Sequence, residues 1–496
     1  MSASGKEAPG PEAIAHLDSE HFDEAVVKAL GDEVLRGALR NATELFSSRR
    51  SAAVASLPDW EDLRERARAI KEETLANLDA YLEEFAANAE REGVQVHWAR
   101  DAAEACEVVL AVARATGATT AVKSKSMTTE EIGLNDALER GGLLPVETDL
   151  GEWIIQLAGE TPSHIIVPAI HKTKAQIAEL FVEKLGIPPT DDVTELTLAA
   201  RRVLRETFAQ ADLGISGVNF GIAETGSFLV LENEGNARMT TSLPRAHIAV
   251  MGIEKVIPLF EDLEVFLRLL PRSGTGQHLT SYQTIFTGPR REGREGPEEL
   301  HLLIVDNGRS AMLRERVTRQ SLACIRCGAC LNACPVYQQI GGHAYGSVYP
   351  GPIGAVITPQ LAGLDKAAKL PFASSLCGAC RDVCPVKIDI PQLLLHLRAR
   401  IVLGDGPPGG KSTREGRFLE RLAFRAWAWA MAGPRRYRFT AWVTRIVQPV
   451  VVGDGRIGRL ARRLVPPLGA WTAARELRAA APRSFRAEWR RTKGKV

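Results

Sequence analysis

The chain has 496 residues, of which 45% are hydrophobic and 25% charged, with a formal net charge of +2. That length allows roughly two to four domains with substantial cores, and no apolar run reaches the roughly 20 residues that cross a bilayer, which excludes a spanning helix. The small net charge hides an asymmetry: residues 401–496 hold 21 Lys+Arg against 6 Asp+Glu, leaving 41 against 54 in residues 1–400, so a region of +15 follows a body of −13. A basic tail on an acidic body suits docking to an acidic partner, to the body itself or to an anionic membrane surface. No recognised base-reading motif accompanies the charge, so no nucleic-acid partner is expected.

Met1–Pro11 is polar and loose in composition. From Pro58-Asp59 the spacing of Leu63, Ile70, Leu78, Leu82 and Phe85 predicts one long amphipathic helix over Asp59–Glu92. Strand-like and helix-like segments then alternate: strand Val94–Trp98 and helix Asp101–Ala115, strand Thr119–Lys123 and helix Thr128–Arg140, then strands Pro145–Thr148 and His164–Pro168 and helix Lys172–Lys184. Gly226–Glu232, His247–Gly252 and Leu302–Asp306 are further short runs rich in Val, Ile, Leu or Phe. This alternation predicts an α/β domain with a largely parallel sheet over residues 1–310.

Within that domain Lys123-Ser-Lys125-Ser-Met127 lies between a strand and a helix, a suitable place for an anion. Glu224-Thr-Gly226-Ser precedes a strand and offers a carboxylate to a cleft at the carboxyl edge of the sheet. Asn233-Glu-Gly-Asn236-Ala-Arg238-Met-Thr-Thr241 is dense in hydrogen-bonding groups. Each of these also suits capping and turn duty in an inert scaffold. Gly214-Ile-Ser-Gly217-Val-Asn-Phe-Gly221 lacks the spacing of a dinucleotide fingerprint, and the ten histidines show no ligand-like pairing. Cys106, in the apolar helix, reads as a buried small hydrophobe.

The other seven cysteines fall in two runs, each ending in Cys-Pro: Cys324-Ile-Arg-Cys327-Gly-Ala-Cys330-Leu-Asn-Ala-Cys334-Pro335 and Cys377-Gly-Ala-Cys380-Arg-Asp-Val-Cys384-Pro385. The first has the spacing that wraps a loop around a cubane iron–sulfur cluster and sends its fourth cysteine to a neighbouring cluster. Small residues such as Gly328 and Ala329 let backbone amides reach the sulfides, and Pro335 and Pro385 turn the chain away without a competing N–H. By the two-cluster rule Cys324, Cys327 and Cys330 share one 4Fe-4S cluster with Cys384, while Cys334 joins Cys377 and Cys380 on a second. Where the second run's first cysteine would stand the chain has Ser374. A serine oxygen, another local ligand, a partner's thiolate, a three-iron cluster or an open iron would each satisfy that count. Zinc would use four of the cysteines and leave three without a role. Disulfides are disfavoured, because nothing in the sequence resembles a signal peptide and clustered thiols suit a reducing compartment.

The two runs stand 42 residues apart, with a Gly/Pro-rich stretch at Gly341–Gly354 and a helix predicted near Thr358–Lys369. That spacer suits an all-helical ferredoxin module over residues 311–400. Residues 401–496 open with a flexible segment, Gly404–Gly410, and continue as Arg-rich helices bearing Trp427, Trp429, Trp442, Trp471 and Trp489. Two roles fit this region: a membrane-interface anchor, or a helical appendage whose tryptophans pack on the cluster module.

Lys123-Ser-Lys-Ser-Met-Thr, Glu147-Thr-Asp-Leu-Gly-Glu-Trp153, Ile222-Ala-Glu-Thr-Gly-Ser227 and Asn236-Ala-Arg-Met-Thr-Thr-Ser-Leu-Pro244 resemble the LUD (lactate-utilization) domain. Together with Gly351-Pro-Ile-Gly354 and the cysteine runs, residues 20–440 resemble the LUD-domain iron–sulfur family of lactate utilization. The resemblance implies a CoA-transferase-like α/β domain, a two-cluster module and a basic helical C-terminal region. It implies a cytoplasmic subunit, peripheral to the inner face of the membrane in one form, of an L-lactate dehydrogenase complex that makes pyruvate. Its expected companions are a subunit with cysteine-rich CCG domains and a smaller LUD-domain subunit, with the quinone pool as one acceptor. The family's ligand pattern falls on Cys324, Cys327, Cys330, Cys334, Cys377, Cys380 and Cys384, and three cysteines in the second run are usual there. No catalytic residue transfers. The expected role is a non-catalytic electron relay; a self-contained hydroxy-acid enzyme with an open iron and a redox-responsive scaffold are the alternatives.

Overall fold

Among the described residues ten strands, β1 (Gln95–Ala99), β2 (Thr120–Lys123), β3 (Leu144–Glu147), β4 (Leu213–Gly217), β5 (Phe220–Ile222), β6 (Ser227–Glu232), β7 (Ala246–Gly252), β8 (Val256–Ile257), β9 (Tyr282–Phe286) and β10 (Glu299–Val305), build two sheets in the computed structural model of the chain. The model describes residues 13–403, 418–452, 480, 481 and 483–493, so Met1–Pro11, Gly404–Gly410 and Trp471 lie outside the described residues. The larger sheet is wholly parallel, in the order β1-β10-β7-β4-β2-β3. The smaller runs β8-β5-β6-β9, antiparallel except for the β5–β8 pair. An α/β domain with a parallel sheet is what the alternating pattern predicted.

The central strands are apolar on both faces because both faces are covered. On β10, Leu303 and Val305 join a core with Ala105, Val109 and Leu138, from helices Ala102–Thr116 and Leu134–Arg140. Leu302 and Ile304 point the other way, into a core with Phe85, Phe228 and Phe266. That second core continues without a break through Leu331, Tyr337, Val356 and Leu393 to the cysteines themselves. Sheet and cysteine runs therefore belong to one compact unit, Met1–Thr413, separate from Arg414–Val496.

Several elements differ from expectation. The single helix predicted over Asp59–Glu92 is two helices, Trp60–Ala76 and Leu78–Arg91, broken at Asn77, where φ and ψ are −125° and 35°. Thr128–Arg140 is likewise two short helices, Met127–Glu131 and Leu134–Arg140, divided by Gly133 at φ +65°. A Cβ at Gly133 would lie 2.9 Å from that of Ala15, so the break admits the N-terminal segment. The spacer helix spans Gly351–Ala362 and not Thr358–Lys369. His164–Pro168 forms no strand, because the His164 ring Nδ1 accepts from the backbone N–H of Ile166 (3.0 Å) and Val167 (3.1 Å), taking donors that a ladder needs.

An ionic knot fastens the sheet edge to the helical module. Arg309, just beyond β10, donates from both Nη atoms to Glu131 (2.8 Å each) and from Nε to Glu254 (2.6 Å). Tyr349 of the helical module donates its hydroxyl to Glu131 at 2.6 Å, and Asn307 adds a further bond at 2.6 Å. Arg309, Glu131 and Glu254 side chains are 1%, 0% and 1% exposed, so each charge depends on the others.

The second unit contains helices Phe418–Met431, Pro434–Val452 and Phe485–Lys493 among its described residues. Trp427, Trp429, Trp442 and Trp489 are 50–60% exposed, and the Arg436 guanidinium lies 5.3 Å from the Trp429 ring centroid. Among the described residues no helix is long and apolar enough to cross a membrane.

Replacing Arg309 by Met should strand two buried carboxylates and cost about 3–5 kcal/mol. A clear fall in thermal midpoint of the cluster-loaded protein is the expected measurement; an unchanged midpoint would refute the knot's structural role.

Candidate iron–sulfur centres and the cavity beside them

Both cysteine runs adopt the same local backbone. Cys327 is flanked by Arg326 and Gly328 at φ +60° and +73°, and Cys377 by Leu376 and Gly378 at +55° and +89°. A one-turn helix follows each, Ala329–Asn332 and Ala379–Asp382. Cys327, Cys330 and Cys334 therefore correspond to Cys377, Cys380 and Cys384. The correspondence extends one step back: the Arg326 N–H donates to Cys324 Sγ at 3.4 Å, and the Leu376 N–H donates to Ser374 Oγ at 3.1 Å. Ser374 occupies the place of Cys324.

The fold brings the two runs together. Cys324, Cys327, Cys330 and Cys384 line one small apolar cavity with Ile165, Ile325 and Ile353. Cys334, Cys377 and Cys380 form the other group, each near enough to perturb another electrostatically. Cys327, Cys330, Cys334, Cys380 and Cys384 are buried, Cys324 is half-buried and Cys377 is exposed. Burial pushes the Cys384 thiol up to about 11 and that of Cys380 up to about 12, and those of Cys327 and Cys330 also rise. Cys377 moves down instead, held by the Ala379 N–H and the Ser375 hydroxyl. Among the described residues no three His, Cys, Asp or Glu side chains close on a single ion. A cubane distributes its thiolates over separate irons, and an all-sulfur donor set with amides aimed at sulfur, such as the Ile388 N–H at 3.4 Å from Cys384 Sγ, fits that group.

Cations surround the first group, and most come from elements far away in sequence. Arg64, on helix Trp60–Ala76, donates from Nε (3.0 Å) and Nη2 (2.7 Å) to the Cys384 carbonyl and from Nη2 to that of Asp382 (3.1 Å). Arg50 donates to the Val383 carbonyl at 3.1 Å and feels both Cys327 and Cys384. Lys71 donates to the Glu254 carbonyl at 2.6 Å, and burial lowers its ammonium to about 7. Sequence reasoning missed these three. The available signal was that Arg64 and Lys71 lie on the same stripe as Ala67 and Leu75, so that face carries charge into the core.

A cavity of about 410 Å³ opens at the carboxyl edge of the parallel sheet. The loops after β2, β3, β4 and β7 supply Ser124, Lys125, Asp149, Asn219 and Lys255, and the first cysteine run supplies Ile325 and Arg326. Ile165, Ile325 and Arg326 line this cavity and also the first cysteine site, so they form the wall between them. Of the motifs singled out in the sequence, Lys125 and the 233–237 loop reach the cavity. Lys123 does not: fully buried, it donates to Glu147 (2.6 Å) and Glu130 (2.9 Å), an internal ion pair and not an anion site. Glu224 is exposed and accepts from the Phe260 N–H at 2.8 Å, outside the cavity. Gly226 is structural, since a Cβ there would meet the Ala89 backbone nitrogen at 2.2 Å. Cys106 is buried, its thiol raised to about 11 by burial and directed at the Ile132 carbonyl.

An α/β domain whose sheet edge meets a two-site cysteine module defines a LUD-domain iron–sulfur protein. The LUD domain model matches residues 82–305, a 4Fe-4S dicluster domain residues 320–388, and the lactate utilisation protein B C-terminal model residues 396–494. Lactate utilization protein B of Bacillus licheniformis is 44% identical over 478 residues, covering 95% of this chain and 97% of its own. The proteins of that name from Geobacillus kaustophilus and Macrococcus caseolyticus are 45% and 44% identical, covering 97% and 95% of this chain and 98% and 97% of their own. The chain belongs to the lactate utilization protein B family.

Because Arg64 fixes this turn with three charge-assisted bonds, two to the Cys384 carbonyl and one to that of Asp382, Arg64→Ala should cost about 2–3 kcal/mol there. Reduced iron and sulfide per chain after anaerobic purification is the expected result, with Arg68→Ala on the exposed face unchanged.

Proposed function

We propose that this chain is the electron-transferring subunit of a system that oxidises L-lactate to pyruvate, with residues 1–310, 311–400 and 401–496 as its LUD, cluster and docking regions. Cys324, Cys327, Cys330 and Cys384 hold one 4Fe-4S cluster; Cys334, Cys377 and Cys380 hold a second. When bound, such clusters store and pass one electron at a time, at potentials set by charge, amide bonds and exposure. The observation that carries this reading is the order of exposure. The first sulfur group lies inside the core against the LUD domain, and the second reaches the surface at Cys377. That order suits an internal donor side and an external partner side.

The chain's own residues prepare both sites. Arg50, Arg64, Lys71 and Arg326 offset the negative charge that thiolate ligation brings into the interior. Gly328 and Gly378, at φ +73° and +89°, take a left-handed backbone conformation that glycine adopts without strain, which turns amides toward the sulfur site. Ser374 Oγ, at the position equivalent to Cys324, is the internal candidate for the fourth ligand of the second cluster. Partners suited to the exposed site are the CCG-domain and smaller LUD-domain subunits, with a quinone as final acceptor. The exposed Trp and Arg residues of the C-terminal unit suit peripheral contact with a membrane or partner from the cytoplasmic side.

Anaerobic iron and sulfide analysis with an EPR redox titration tests this function: two centres that reduce reversibly are expected, and redox-inert or zinc-loaded protein refutes it. Cys384→Ala should abolish the signal of the first centre although the residue lies in the second run. Loss of the second centre alone would overturn the ligand assignment. Ser374→Cys should preserve a four-iron second centre and shift its EPR spectrum, whereas Ser374→Ala should convert it to a three-iron signal. Spectra identical to wild type in both variants would remove Ser374 from the site.

A further inference from the structure

We propose that the cavity at the sheet's carboxyl edge binds a 2-hydroxy or 2-oxo carboxylate, seated on Lys125, Lys255 and Arg326 against the wall of the first cysteine site. This rests on the electron-transfer role proposed above and gives that relay its small-molecule end within this chain.

Charge is the first argument. Among the described residues Lys255 makes no hydrogen bond or ion pair, and Lys125 hydrogen-bonds only the neutral Ile166 carbonyl. Arg326 is 9% exposed, and its Nη1 has no hydrogen-bond partner, while Nη2 lies 3.4 Å from Glu254. Lys125 and Lys255, lining the cavity together with Arg326 and with donors to spare, are costly to desolvate unless an anion joins them. The acids that also line the cavity are otherwise engaged. Glu232 accepts from the Ala237 and Arg238 N–H groups (2.7 and 2.8 Å), Glu234 from that of Leu150 (3.1 Å), and Asp149 from that of Glu152 (3.2 Å). These carboxylates cap backbone, and none of them hydrogen-bonds Lys125, Lys255 or Arg326, although Glu234 feels the charge of Lys125.

Position is the second argument. Ligands of open parallel sheets bind beyond the carboxyl ends of the strands, and four such loops meet here. Ser124, Ser126 and Asn236 offer partners for a hydroxyl or keto oxygen, and Val218, Val230 and Leu270 offer an apolar surface for a short alkyl group. The volume of about 410 Å³ exceeds what a three-carbon acid fills, so longer 2-oxo acids fit as well. Ile325 and Arg326 join the cavity to the cysteine loop itself, so a ligand here is separated from the first sulfur group by a single layer of side chains.

The test uses the full-length, cluster-loaded protein under anaerobic conditions, titrated calorimetrically with pyruvate, with 2-oxoisocaproate as the longer acid and with acetate and phosphate as plain anions. Saturable binding of the 2-oxo acids, at least about tenfold tighter than that of acetate or phosphate, is expected, with a change in the EPR spectrum of the reduced first centre. Lys255→Gln and, separately, Lys125→Gln should each weaken pyruvate binding about tenfold or more with iron content unchanged. Absence of saturable pyruvate binding in wild-type protein whose centres reduce reversibly would overturn this inference and leave the relay standing. So would equal affinity for acetate and the 2-oxo acids, or undiminished binding in both lysine variants. Specific binding to protein whose centres are redox-inert would instead refute the relay and keep the cavity.

Discussion

Burying five of the seven clustered thiols, those of Cys327, Cys330, Cys334, Cys380 and Cys384, in an apolar core is the constraint on which the rest of this structure depends. Free thiols in that setting resist ionisation, as the elevated values for Cys380 and Cys384 show. Metal ligation requires the thiolate, so the protein must provide both the bound iron's charge and further positive charge nearby. The cysteine module supplies Arg326, and the rest comes from outside it. Arg50, Arg64 and Lys71 arrive from the N-terminal helices. The chain before residue 310 is thus part of the cluster environment, which gives a physical reason for the continuous core of the first unit.

The two runs share one backbone solution and differ in two respects. One begins with Cys324 and the other with Ser374, each taking the same N–H bond from two residues onward. One group lies in the interior and the other reaches solvent through Cys377. Hydrogen bonding and exposure are among the quantities that set cluster potential, so near-identical loops can give inequivalent centres. A relay needs that inequivalence to have a direction.

The carboxyl edge of the sheet serves two purposes. On one side the loops after β7 and β10 contribute Glu254 and Arg309 to a buried ionic knot that reaches Tyr349 in the helical module. On the other, the loops after β2, β3 and β4, with Lys255 from the loop after β7, leave an open cavity. Arg326 touches both, paired with Glu254 and lining the cavity while standing between two cysteines. Rigid fastening and an open site a few residues apart are compatible because the knot fixes the wall that the cavity uses.

The sequence by itself determined the α/β class, the family and the chemistry of the cysteine runs, because strand periodicity and ligand spacing are local properties that survive without a fold. It also exposed the missing cysteine at Ser374 and the buried character of Cys106. Local pattern misled where a side chain claimed the backbone, as His164 does at Ile166 and Val167, or where a single residue broke a helix, as Asn77 and Gly133 do. Lys123 and Lys125 are two residues apart in one motif, yet one is buried in an ion pair and the other faces a cavity, since the strand ends at Lys123 and its alternation no longer governs Lys125 in the loop beyond. Which cations surround the sulfurs, which cysteine meets solvent, and which loops share a wall with the first cysteine site were decided only by tertiary packing, because these are relations between segments up to some three hundred residues apart, as between Arg64 and Cys384.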